Sequence, residues 1–137
     1  MNEFETVRHI LDATHRIALV GASENPLRDS HRIMRYLLAE GFEVDPVNPN
    51  AKTVLGRPCV PELAALTHPI DTVVCFRRSD QIEPIARSAI AIRARHLWMQ
   101  LGIVNKAAMT LAHEAGLLVV MNRCIMVDHQ RLHLGRT

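Results

Sequence analysis

Short unbroken apolar runs alternate with longer segments of helical period along this chain, the pattern of strand-helix-strand units feeding a largely parallel sheet. Phe4, Val7 and Leu11 mark one face of an opening helix. Ile17-Ala18-Leu19-Val20 then runs without a polar residue into Gly21, as a central strand buried on both faces should. Ile33, Met34, Leu37 and Leu38 restore the helical spacing, and Gly41 stands where a left-handed residue would end that helix. A strand is expected over 43–47, a turn over 48–52, a short edge strand at Cys59-Val60 and a brief helix over 62–66. Thr72-Val73-Val74-Cys75-Phe76 reads as another buried strand. Ile82, Ile85, Ala86, Ala89 and Ile90 follow at helical spacing, with Asp80 and Glu83 set as a capping box at the start. Strands over 96–99 and 117–121, separated by a helix from about Lys106 to Ala115, complete the series.

Because such crossovers are almost always right-handed, this order wraps into one doubly wound, Rossmann-like α/β domain over residues 1–137, with helices on both faces of a parallel sheet. Five to six strands are expected. The preferred order is 3-2-1-4-5-6 with Cys59-Val60 as a weak third strand; the alternative, should that segment be loop, is a five-stranded flavodoxin-like sheet. Both orders place a site at the carboxyl ends of the strands, in the loops after Val20, Val47, Phe76, Met99 and Met121.

At 137 residues, 48% hydrophobic and 22% charged, the chain has the size and composition of a single globular domain. A net charge of +2 and an aromatic content of 4% argue against nucleic acid or a membrane surface as partner. An anionic ligand would have to be held locally. Three cysteines, no apolar run near the roughly 18 residues of a membrane span and an acidic start, Met1-Asn2-Glu3-Phe4-Glu5, lead to the expectation of a cytoplasmic protein.

The loop after the first strand, from Gly21 to Ser30, lacks the Gly-x-Gly-x-x-Gly fingerprint. Gly21 and Ala22 still permit a close backbone approach, while helix-opening amides and the hydroxyls of Ser23 and Ser30 suit phosphate oxygens and Arg28 offers a planar charged donor. The competing reading makes Ser30 or Asp29 a helix cap and leaves Arg28 in solvent. At Pro46-Val47-Asn48-Pro49, Asn48 stands where dinucleotide dehydrogenases present an acid to ribose, and Lys52 follows. That end therefore suits a 3′-phosphorylated adenosine such as CoA better than NAD, unless it is simply a proline-rich turn. In Phe76-Arg77-Arg78, two arginines at a strand end can face a pyrophosphate and Phe76 can cover an adenine; a solvated loop is the alternative.

These segments belong to an ordered set: Ile17-Ala-Leu-Val-Gly-Ala-Ser, Asn25-Pro26, Pro46-Val47-Asn48-Pro49, Val54-Leu-Gly, Val74-Cys-Phe-Arg, Leu97-Trp-Met-Gln-Leu-Gly and Val120-Met-Asn-Arg-Cys-Ile. The set resembles the stand-alone CoA-binding proteins related to the N-terminal CoA-binding domain of the succinyl-CoA synthetase α subunit. That resemblance implies CoA or an acyl-CoA as ligand, contacted around Gly21, Ser23, Asn25, Asn48, Pro49, Phe76 and Arg77. It sets Gln100 and Gly102 at the inner end of the cleft. One departure stands out: Asn122 occupies a position where an acid is expected before Arg123-Cys124.

The synthetases carry their phosphorylated histidine in a following domain that these 137 residues do not include, so the resemblance implies binding without ligase chemistry. No catalytic or metal-binding residue is assigned, and a protein partner is left open. An alternative from another class is a small redox or acyl-transfer enzyme using Cys124, beside Arg123, Asp128 and His129; an NAD-type protein is a third. His129 and His133, four apart, read as part of an exposed C-terminal tail rather than as metal ligands. Trp98 and Met99 read as core, and His31 as a helix-start residue without an acid-base role.

Overall fold

The computed structural model describes residues 1–134. Its elements run α1 (Glu3–Ala13), β1 (Arg16–Val20), α2 (Asp29–Ala39), β2 (Glu43–Val47), β3 (Thr53–Val54), β4 (Arg57–Pro58), β5 (Thr72–Cys75), α3 (Ile82–Ala91), β6 (His96–Met99), α4 (Lys106–Glu114), β7 (Leu118–Val120) and α5 (Ile125–Leu134). Five strands form one parallel sheet in the order β2-β1-β5-β6-β7. The doubly wound α/β class is therefore as the apolar runs implied, and the strand order is that of the five-stranded alternative.

The preferred six-strand order needs correcting at its third strand. Val60 makes only an isolated parallel bridge to Val47, through Asn48 N–H to Val60 O at 2.9 Å and Val60 N–H to Pro46 O at 3.2 Å. Pro58, two residues before Val60 and so the next that would donate to β2, carries no amide hydrogen, which stops the ladder from extending back along β2. The segment sits where the third strand was expected without becoming one.

Alternation along the central strands sorts the core into two layers. Ala18, Val20, Val73, Cys75, Leu97 and Met99 face the layer of α3 and α4, whereas Ile17, Leu19, Val74 and Trp98 face α1, α2 and α5. Trp98 is fully buried, and its indole N–H donates to the Arg123 carbonyl at 2.8 Å, so this large side chain leaves no orphan donor. Asn2 and Asn105 cap α1 and α4 by accepting from Glu5 N and Ala108 N.

Two further expectations are overturned. Asp80 and Glu83 form no capping box: residues Ser79–Gln81 make a 3-10 turn before α3, Asp80 faces Arg78 at 3.7 Å, and Glu83 pairs with Arg87 at 3.2 Å. The segment read as an exposed tail is the helix α5, whose Asp128 is buried at 4% exposure. His129 Nδ1 lies 2.7 Å from the Tyr36 hydroxyl, inside that packing. His31 is also buried, its Nδ1 without a hydrogen-bond partner. Among the described residues no helix is long and apolar enough to cross a membrane.

At the amino end of the sheet, the Thr14 hydroxyl reaches the Ile10 carbonyl and lies 2.7 Å from the Thr72 hydroxyl, which lies 2.9 Å from His96 Nδ1. Burial pushes His96 down to about 4, with the neighbouring His9 adding in the same direction. The imidazole is thus neutral in the folded protein, whereas in the unfolded chain it takes a proton near pH 6.5. The unfolded state binds more protons between those values, so this contribution to stability is lost as pH falls from about 6.5 towards 4. Urea unfolding should show a loss on the order of 2–3 kcal/mol over that range. A His96→Asn protein should have a flatter profile there; an equally steep one would place the acid sensitivity elsewhere.

Candidate ligand-binding crevice

The carboxyl ends of β2, β1 and β5 are drawn together by backbone contacts around Gly21. Its N–H donates to the Val47 carbonyl at 2.9 Å, and Phe76 N–H donates to the Val20 carbonyl at 2.8 Å. Gly21 has φ +90°, and a Cβ there would overlap the Phe76 carbonyl oxygen and lie 2.9 Å from the carbonyl carbon. Glycine is required by both the conformation and the approach.

The polar side chains of the first loop are largely spent on shaping it. Ser23 Oγ accepts from Asn25 N at 3.1 Å, and Asn25 Oδ1 accepts from Leu27 N at 3.0 Å, two local turns that fix the path into α2. Asn48 ties the second loop to the first: Nδ2 donates to the Ala22 carbonyl at 2.6 Å and Oδ1 accepts from Asn50 N at 2.8 Å. Arg28 is the N-cap of α2, with extended backbone and no side-chain cap. Neither Ser30 nor Asp29 plays that part, and Asp29 instead pairs with Arg32 at 3.1 Å. His31 N–H and Arg32 N–H donate to the Arg28 carbonyl at 3.1 and 3.2 Å, which leaves the Asp29 and Ser30 amides at the start of α2 available to an anion.

Three cavities meet at Arg77. The first, about 540 Å³, is lined by Gly21, Ala22, Ser23, Leu27, Arg28, Asp29, Ser30, Asn48, Phe76 and Arg77. A second of about 390 Å³ adds Val47, Pro49, Leu63, Gln81 and Ile85. A third of about 380 Å³ runs from Phe76, Arg77 and Arg78 to Gln100, Leu101, Ile103 and Cys124. Among the described residues Arg28 and Arg77 have no carboxylate at ion-pair distance, so two guanidiniums face the first cavity unneutralised. The exposed Arg78 lies 3.7 Å from Asp80.

Twelve of the sixteen residues singled out from the sequence line these cavities: eight the first, Val47 and Pro49 the second, Arg78 and Gln100 the third. Asn25, Pro26, Lys52 and Gly102 line none of the three. Asn25 acts on the loop, Lys52 is exposed, and Gly102 N–H donates to Asn122 Oδ1 at 2.7 Å. Asn122, standing where an acid was expected, has φ +59° and through that bond its Oδ1 holds the neighbouring loop, a part a carboxylate could also play. The apolar lining from Leu63, Ile85, Leu101 and Ile103 carried no local signal, because side chains of helix and loop residues converge only once the chain is folded.

At the inner end, Gln100 is 4% exposed, and its Oε1 accepts from Ile125 N at 2.9 Å, anchoring the start of α5. Arg123 forms a fork to Asp128 at 2.7 and 2.9 Å and reaches Glu3 at 2.7 Å. The hydrogen bond to Asp128 holds its guanidinium above the ordinary value, so this charge is engaged with carboxylates rather than free beside Cys124. Burial pushes the Cys75 thiol up to about 12 and raises that of Cys59.

A parallel doubly wound sheet whose switch-point crevice carries unpaired guanidiniums and helix-opening amides belongs to the class of α/β folds in which an anion can be held at the strand ends. The model of the CoA binding domain matches residues 15–130, and the chain belongs to that family. An uncharacterised protein from Bacillus subtilis, YneT, is 38% identical over 123 residues, covering 90% of this chain and 91% of its own. A solved hypothetical protein from Pyrococcus horikoshii OT3 is 40% identical, with a TM-score of 0.92 over 96% of this chain and 93% of that one. A dinucleotide-forming acetyl-coenzyme A synthetase 1 from Ca. Korarchaeum cryptofilum, solved with phosphate and ADP, is 25% identical with a TM-score of 0.70. That match covers 77% of this chain and 25% of the synthetase.

Proposed function

We propose that this protein is a binding module for CoA or an acyl-CoA, without catalytic machinery of its own. The observation that carries the reading is the place of Arg77 at the junction of three cavities, two polar or apolar arms flanking a cationic one. The pyrophosphate belongs between Arg28, Arg77 and the opening amides of α2, where charge-assisted donors converge on one point. The adenosine extends past Phe76 and Pro49, and the pantetheine runs towards Gln100. Lys52, exposed on the turn after β2, adds long-range attraction for a 3′-phosphate. Free cysteines at 59, 75 and 124 accord with a reducing cytoplasm as the working compartment.

The NAD reading is weaker for a specific reason. Asn48 rather than an acid stands at the end of β2, both ends of its amide are engaged, and so this position itself offers no carboxylate to a ribose diol, although Glu24 lies close enough to act on the Cys59 thiol beside it. Replacing Arg77 by Ala should weaken CoA binding by about 1.5–3 kcal/mol, the value of a charged hydrogen bond, with the fold unchanged by circular dichroism. Raising the salt concentration should weaken wild-type binding as well, since part of the attraction is screened. Unchanged affinity in Arg77→Ala would remove this residue from the site.

A further inference from the structure

We propose that Cys124 is a site of reversible disulfide formation with CoA, so that the crevice takes the free thiol and disulfide forms of the ligand and holds them covalently under oxidation. This rests on the CoA reading above. Cys124 is half-buried and lines the third cavity together with Phe76, Arg77 and Gln100, so one cavity runs from the cationic junction to this residue. A ligand anchored at Arg77 by its phosphates and extended inward brings its far end there.

A second observation at the same place points to a ligand. Gln100 is 4% exposed, and its carbonyl end is committed to Ile125 N. Its amide nitrogen has no hydrogen-bond partner among the described residues, yet is not sealed from the cavity that Gln100 lines. An amide donor on a side chain held in place by Ile125, and open to the cavity that Gln100 lines, is placed to meet an acceptor on a ligand lying there. An amide carbonyl of the ligand beside Gln100 would carry the remainder of its chain on to Cys124.

The other two thiols do not share this setting. Cys75 is fully buried and its thiol is pushed up to about 12. Cys59 is raised by burial and lies 3.6 Å from the Asn48 carbonyl, to which its S–H donates. The reaction is thiol-disulfide exchange: the Cys124 thiolate attacks one sulfur of CoA disulfide, the S–S bond of the disulfide breaks, a new S–S bond joins Cys124 to one CoA, and the second CoA leaves as thiolate. The oxidant is the disulfide itself; free CoA or another thiol reverses the step.

The test uses the wild-type protein, first shown by calorimetry to bind reduced CoA. Exposed to CoA disulfide, it should gain the mass of one CoA, and peptide mapping should find the adduct on Cys124. Because binding raises the local concentration of the disulfide, modification should be on the order of tenfold or more faster than by oxidised glutathione at equal concentration. A Cys59→Ser protein should keep the adduct. An adduct mapped to Cys59, equal rates with the two disulfides, or no adduct on a protein that binds CoA would overturn the proposal. Failure to bind CoA at all in the first titration would sink the CoA reading itself, and this proposal with it.

Discussion

A Gly21→Ala protein is expected to lose both stability and ligand binding. At φ +90° an L side chain is strained by about 1–3 kcal/mol, and the added methyl meets the Phe76 carbonyl, a backbone group that cannot swing aside. Relieving that overlap means separating β1 from β5 where their ends are joined by the Phe76–Val20 hydrogen bond, at a further cost of about 1–3 kcal/mol. The first and third cavities share Phe76 and Arg77, so the same displacement spoils both. Urea unfolding and a CoA titration on one preparation would check the two effects together. Wild-type behaviour in both would show that the close approach at Gly21 is not needed.

The second large effect is expected at Arg123. Asp128 has 5% of its side chain exposed and depends on the Arg123 fork for its countercharge. Removing the guanidinium in Arg123→Ala leaves a buried carboxylate uncompensated, which costs about 3–5 kcal/mol. The Asp128→Asn/Arg123→Ala double variant should recover part of this, because no charge is then stranded. Additive losses in the cycle would contradict a direct coupling. The pair also fastens α5 to α1 through Glu3, so α5 and the Gln100–Ile125 contact should loosen with it.

How far the sequence carried can be traced to particular residues. β1, β5 and β6 were legible because Ile17–Val20, Thr72–Cys75 and His96–Met99 are buried on both faces and so read as continuous runs. Cys59-Val60 misled because apolarity says nothing of the ladder hydrogen bond that Pro58 cannot donate. α5 was missed because its inward face includes Asp128: a charged residue reads as exposed unless its partner is known, and Arg123 precedes the helix. In the crevice, Gly21 and Arg77 were readable because strand ends place them there. The roles of Ser23, Asn25 and Asn48 in shaping the loops depend on backbone partners that residue types do not reveal. Gln100 was placed at the inner end by family resemblance, and only the fold explains its grip on α5.

Arg28 and Arg77 lining one cavity, with Asn48 rather than an acid at the end of β2, underlie the proposal that this crevice selects CoA over other adenine nucleotides. Calorimetric titration of the wild-type protein with CoA, dephospho-CoA, NAD and ATP tests it most directly. CoA should bind most tightly, dephospho-CoA more weakly for want of the 3′-phosphate, and NAD and ATP more weakly still. NAD binding tighter than CoA would contradict the account.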